Sequence, residues 1–192
     1  GDIGFDPDIT RDEFRTFASV VGQMLYHTPV DAARSESLLG FDIGVMAKVV
    51  EIDENAGYWT SSINSDFSSN GYLFAPRIVA SKGIGFANVS ASYGRVSDSD
   101  IDLIGGALAV PIIRGGLVSP TLAVRASYAT LDGNEEFDLQ TYGAEVHLSK
   151  AFGPLTPYAS AGMARTEATG RIPVCVPMPG ELPTFEMTET MD

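Results

Sequence analysis

From about residue 39 onward, apolar and polar side chains alternate with a period of two in segment after segment. That is the spacing of β-strands whose two faces meet different surroundings. The first such segment, 39–52, places Phe41, Ile43, Val45, Ala47 and Val49 on one face and Asp42, Gly44 and Lys48 on the other. Over 73–81, Phe74, Pro76, Ile78 and Ala80 oppose Ala75, Arg77 and Ser81. Over 86–96, Ala87, Val89, Ala91 and Tyr93 oppose Asn88, Ser90, Ser92 and Gly94. Segment 102–112 is the least contrasted, because Leu, Gly and Ala occupy both faces. The contrast returns over 121–131, with Leu122, Val124, Ala126 and Tyr128 against Thr121, Arg125 and Ser127, and over 139–150, with Tyr142, Ala144, Val146 and Leu148 against Thr141, Gly143, Glu145, His147 and Ser149. A seventh strand, 156–167, follows the turn at Phe152-Gly153-Pro154.

One stretch departs from this period. Residues 10–27 place Phe14, Phe17, Ala18, Val21, Met24 and Leu25 on a single helical face, behind Thr10 and Glu13 at capping-box spacing. The chain therefore divides into an N-terminal segment with an amphipathic helix, 1–37, and a run of strands and connections, 38–192. The predicted fold is all-β, an antiparallel up-and-down barrel of about 8 to 10 strands when complete.

The make-up of the two faces decides what kind of barrel this is. A soluble barrel turns its apolar face inward and presents long charged side chains to water. Here the polar face is mostly Gly, Ser, Thr, Asn and Ala with a few charges, which suits a narrow interior. The apolar face is aliphatic at its middle, with aromatics such as Phe41, Phe74, Tyr93, Tyr128 and Tyr142 toward the segment ends, as at a membrane interface. The alternation thus predicts lipid outside: Val45, Val89, Val124, Ala126, Val146 and Leu148 face lipid, while Asp42, Lys48, Arg77, Ser90, Arg125, Glu145 and His147 line the lumen.

Charge along the connections points the same way. Alternate turns of a meander fall at opposite ends, and one set is short and carries Lys82, Arg114 and Lys150 without an acid. The other set, around 53–71, 97–102, 132–138 and 168–192, is longer and holds most of the acids. Short periplasmic turns and long extracellular loops are the asymmetry of outer-membrane barrels.

Composition then removes several classes. With 12 Lys and Arg against 25 Asp and Glu, net charge −13, the chain has no basic surface for nucleic acid. No stretch reaches the roughly 18 consecutive apolar residues of a membrane-spanning helix. Cys175 is the only cysteine, so no disulfide framework or zinc spacing is present, and no cofactor is implied. The chain opens without a basic and apolar leader, so export is expected to have been followed by removal of a signal peptide.

Three stretches carry a resemblance: a helix running into Leu39-Gly40-Phe41-Asp42-Ile43-Gly44, then Ala80-Ser81-Lys82-Gly83, then Lys150-Ala151-Phe152-Gly153-Pro154-Leu155-Thr156-Pro157-Tyr158. They resemble a family of small Gram-negative outer-membrane barrels of unassigned role. The resemblance implies a fold and an outer-membrane location and carries no site residues. Barrels of that kind end on a strand with an aromatic C-terminus, whereas this chain ends Glu189-Thr190-Met191-Asp192. The strands up to about 167 number seven, an odd count, and 168–192 reads as a loop in which Phe185 and Met187 hint at an eighth strand. The expectation is a chain lacking its last strand or strands, closed by a missing segment or by another chain.

Candidate chemistry is sparse. Glu145 and His147 share one face two residues apart and would be the acid-base pair of a membrane hydrolase, but no nucleophile accompanies them. The better reading is an ion network of Asp42, Lys48, Arg77, Arg125, Glu145 and His147 filling a small lumen, since buried charges must be paired. Asp98, Asp100 and Asp102 begin like a calcium loop without its Gly and terminal Glu, and read as an acidic hairpin tip. Arg95 and Arg165 near the outer rim would meet lipopolysaccharide phosphate or neighbouring acids. The helix either plugs the barrel or, on account of its apolar stripe, caps the periplasmic mouth or docks a partner. The sequence therefore points to a non-enzymatic outer-membrane barrel with a structural or passive transport role. Its rivals are a soluble lipocalin-like ligand-binding barrel and a hydrolase using Glu145 and His147.

Overall fold

A computed structural model describes residues 3–27, 41–63, 71–96, 101–115, 119–132, 137–150, 152, 157–173 and 184–191. Its elements in chain order are α1 (Arg11–Leu25), β1 (Phe41–Glu51), α2 (Gly57–Thr60), β2 (Tyr72–Gly83), β3 (Asn88–Arg95), β4 (Asp102–Ile113), β5 (Thr121–Asp132), β6 (Phe137–Ser149), β7 (Tyr158–Pro173) and β8 (Thr184–Met191). The eight strands form one antiparallel sheet in sequence order, an up-and-down meander. Each of the seven ladders joins sequence neighbours; among the described residues none joins β1 to β8, so the sheet is not closed.

The strand boundaries follow the alternation closely up to β6 and depart from it at the C-terminal end. Residues 168–173, expected in a loop, extend β7: 168–170 run along β6, where Phe137 pairs with Gly170 and Leu139 with Ala168, and 171–173 pair with β8. Phe185 and Met187 lie in β8, which is eight residues long and completes a count of eight strands where seven were expected. Mixed residues such as Glu167-Ala168-Thr169-Gly170-Arg171 carry no period of their own, and ladder hydrogen bonds to both neighbours hold them extended. In β4 the register shifts between Pro111 and Ile113, where the proline cannot donate to the ladder.

Helix α1 begins as its sequence requires. The Thr10 hydroxyl accepts from the Glu13 amide at 3.3 Å, and the Glu13 carboxylate accepts from the Thr10 amide at 2.9 Å, the reciprocal capping box. Its apolar face is buried along Phe14, Phe17, Ala18, Val21, Met24 and Leu25. All these side chains meet the end of the sheet where the long connections lie: Ile52, Leu73, Leu103, Leu131, Phe137 and Leu139 share their cluster. Phe5, Phe14, Phe17 and Phe137 pack edge to face with centroids 5.3–6.1 Å apart, and Trp59 of α2 lies 6.0 Å from Phe17. An N-terminal strap reinforces this end, with the amide of Asp6 donating to the carbonyl of Ser61 at 2.8 Å and a bridge between Ile3 and Ile63. The apolar stripe thus sits at the long-connection end, against the inner face of the sheet and not at the short-turn mouth, one of the placements the sequence left open. Leu and Phe replace small polar residues on the inner face at that end, a change that alternation alone does not expose.

Strands β1 to β3 and β5 to β7 each bring an inner-face side chain against α1 or the two residues after it, as does Gly105 of β4. A single sheet meets one helix from so many strands only by curling around it.

Candidate functional site

The last turn of α1 ends on Tyr26, whose amide donates to the carbonyl of Gly22, and it has neither a basic side chain nor a following glycine to serve the carbonyls beyond. The carbonyls of the final turn therefore need donors from elsewhere. The strands supply them. Lys48 of β1 donates to the carbonyls of Gln23, at 3.1 Å, and Tyr26. Arg77 of β2 donates to Leu25 at 3.0 Å and to Met24. Arg125 of β5 reaches the carbonyl of His27 at 2.8 Å. Three cations thus converge on the negative end of the helix dipole, the arrangement that stabilises both.

One carboxylate faces them. Glu145 accepts from Arg125 at 2.7 Å, from the Tyr26 hydroxyl and from His147 Nε2 at 3.1 Å. His27 is buried, with Nδ1 2.7 Å from the Ser92 hydroxyl and Nε2 3.2 Å from that of Ser90. Two hydroxyls, each able to donate or accept, satisfy a neutral imidazole. Burial, followed by the charges of Arg125, Arg77 and Lys48, pushes the His27 pKa down to about 4, against the opposing pull of Glu145. Burial and the Glu145 carboxylate raise that of the Tyr26 hydroxyl well above the ordinary tyrosine value.

Glycines on the wall make room for these groups. A Cβ on Gly143 would stand 2.7 Å from the Tyr26 ring and 2.5 Å from the Ser127 hydroxyl. One on Gly105 would stand 2.9 Å from His27 Nδ1. Both distances are shorter than side chains tolerate, so these positions shape the cradle for Tyr26 and His27.

Of the residues named from sequence, the structure brings Lys48, Arg77, Ser90, Arg125, Glu145 and His147 together around the end of α1. Asp42 shares their face by register but is exposed and joins no hydrogen bond of the cluster. Residues Val45, Val89, Val124, Ala126, Val146 and Leu148 all lie exposed on the opposite, outer face. Asp102 accepts from Arg95 at 2.8 Å, and Arg165 faces Glu167 at 3.5 Å, so both rim arginines meet neighbouring acids. Asp98, Asp100 and Cys175 lie outside the described residues. Sequence reasoning missed Tyr26 and His27; the available signal was a helix ending on hydrogen-bonding aromatic residues just before Pro29, with no Gly or basic cap.

The outer face is the second notable surface. Phe41, Ile43, Val45 and Val49 of β1, Phe74 and Ile78 of β2, Leu108 of β4, Val146 and Leu148 of β6 and Met163 of β7 are all exposed, Val45 and Met163 to 78%. This belt has a charged or polar edge at each side. Glu51, Arg95, Asp102, Asp138 and Arg165 lie toward the long connections, while Lys82, Arg114 and Lys150 lie where the short turns are. Tyr72, Phe74, Tyr93, Tyr128 and Tyr142 line its first edge, and the rings of Tyr128 and Tyr142 stand 5.2 Å apart.

No helix among the described residues is long and apolar enough to cross a membrane, a statement that does not bear on strands. No protein-family model, curated protein or solved structure matches this chain.

Proposed function

We propose that this chain is a transmembrane β-barrel protein of a Gram-negative-type outer membrane, in which α1 is an internal plug and the protein's role is structural or the passive passage of small solutes. The observation that carries this reading is the inversion of the two faces: large apolar side chains are exposed on the outer face of strand after strand, while Arg77, Arg125 and Glu145 are buried inside. Soluble monomers rarely expose apolar patches beyond a few hundred Å². Lipid makes the same belt favourable, and the aromatic rows at its edges suit the two interfaces. A strand edge inside hydrocarbon leaves N–H and C=O groups unpaired at several kcal/mol each. The edges at β1 and β8 therefore call for closure by further strand, from this chain or a partner.

In this orientation the short turns with Lys82, Arg114 and Lys150 are periplasmic and the long acidic connections are extracellular. The outward-facing rim, including Arg95 and Arg165, meets lipid headgroups and lipopolysaccharide. Glu145 and His147 serve the plug rather than a reaction: both belong to the cluster that holds the end of α1.

Purification without detergent distinguishes this proposal from a soluble ligand-binding barrel. The proposal expects aggregation on removal of detergent and faster gel migration of unheated than of heated protein. A monodisperse, detergent-free protein with no heat-dependent shift would overturn it.

A further inference from the structure

We propose that the cluster beneath the end of α1 is a binding site for a small anion, of the inorganic phosphate or carboxylate class, and that it makes passage through the barrel anion-selective. The binding claim stands on the cluster alone; the selectivity claim rests on the pore reading above.

The first observation is an imbalance of charge. Lys48, Arg77 and Arg125 converge within one enclosed region, and among the described residues Glu145 is the only carboxylate that meets them. Glu145 is already engaged by Arg125, Tyr26 and His147. The helix carbonyls contribute only about half an elementary charge. Cationic charge is left in excess, and enclosed charge requires a partner.

The second observation is independent. Arg77 is 2% exposed, and its Nε, a donor, has no hydrogen-bond partner among the described residues. Both of its terminal nitrogens are committed to helix carbonyls, so the guanidinium is fixed while one buried N–H is left without an acceptor. A planar, permanently charged donor set held in place is the group best suited to an oxyanion. The Lys48 ammonium, one step along the sheet from Arg77 on the same inner face, adds a second charge, with one of its three donors left beyond those given to Gln23 and Tyr26.

The third is access. Toward the short-turn end the inner wall carries Gly44, Ser81, Ser90, Ala107 and Gly162, none of them fully buried. Side chains this small narrow the approach from that mouth little, and the charge on the same wall is Asp42, exposed at the rim opposite Ser81.

The test uses the full chain and two variants, Lys48→Gln and Arg77→Lys, each first checked for heat-dependent gel migration. Equilibrium dialysis in detergent against radiolabelled inorganic phosphate should show saturable binding, weakened at least tenfold by Lys48→Gln and also by Arg77→Lys, which lacks the Nε donor. Absence of saturable binding, or binding indifferent to Lys48→Gln, would overturn the site. In planar bilayers under a tenfold KCl gradient, the zero-current potential should have the sign of chloride over potassium, moving toward zero in Lys48→Gln. Current with no preference, or with preference for potassium, would overturn the selectivity and leave the pore reading standing. Folded protein that carries no current would overturn the pore reading, with the binding site still decided by the dialysis.

Discussion

Arg77 Nη1 donates to the main-chain carbonyl of Leu25 at 3.0 Å, across 52 positions of sequence. The bond joins the second strand of the sheet to the C-terminal end of α1, where no basic side chain lies in the last turn. With the bond to Met24, it gives the carbonyls of this helix end donors and commits the two terminal nitrogens of a buried guanidinium, groups costly to leave unpaired. Lys48 and Arg125 repeat the pattern from two other strands.

Replacing Arg77 by Met should accordingly leave the carbonyls of Met24 and Leu25 without donors. A loss of roughly 2 kcal/mol is expected, from hydrogen bonds involving a charged group. It is measured as a lower urea midpoint for conversion of the fast-migrating folded form. Arg77→Lys should recover part of it, since one ammonium cannot reach both carbonyls with the guanidinium's geometry.

Acid should loosen the same contact through His27. Its folded pKa, pushed down to about 4 by burial and by Arg125, Arg77 and Lys48, lies below the ordinary value of 6.5. Between those values the unfolded chain binds a proton that the folded one does not. The contribution is therefore complete above about pH 6.5 and declines as pH falls toward 4, by up to about 3 kcal/mol. Urea midpoints across pH 4–7 check this; His27→Gln should flatten the dependence.

Space around Tyr26 gives a steric prediction. Gly143→Val would drive a side chain against the Tyr26 ring and the Ser127 hydroxyl, so the helix end should be displaced while the outer face is left alone. Faster protease cleavage near Tyr26, with heat-dependent migration retained, is the expected result.

Topology gives another. In a Cys175→Ser background, Asn55→Cys in the long β1–β2 connection should react with an impermeant thiol reagent on intact cells, and Phe86→Cys in the short β2–β3 turn should not. The reverse result would invert the proposed orientation.

Much of this was legible in the sequence, for particular reasons. Period-two alternation placed β1 to β6 closely and sorted Val124 from Arg125 and Val146 from Glu145, because those segments contrast sharply. The paired Thr10 and Glu13 located the start of α1. The extension of β7 and the presence of β8 were harder to read, since Glu167–Arg171 has no period and is held by pairing to its neighbours. The end at which α1 packs stayed open in the sequence because Leu73, Leu103, Leu131 and Leu139 sit on the otherwise polar face, at one end only. The role of Tyr26 and His27 depends on contacts with residues far along the chain, such as Ser92 and Glu145, and no local pattern announces these.

Spin-label accessibility along β6 tests the central claim most directly. Single cysteines are placed in turn from Gln140 to Lys150 in a Cys175→Ser background, labelled, and reconstituted in lipid vesicles. Collision with oxygen, which concentrates in hydrocarbon, should peak at Tyr142, Ala144, Val146 and Leu148. Collision with a water-soluble nickel complex should be minimal there, and the alternate positions should show the opposite preference or protection from both. An arginine comparison sharpens it: Val124→Arg should cost roughly 2 to 4 kcal/mol if it lies at mid-bilayer, and Ser160→Arg, on the inner face beside His147, should cost less. Nickel accessibility at Tyr142, Ala144, Val146 and Leu148 equal to that of a water-exposed site would contradict a lipid-facing outer surface and the account built on it.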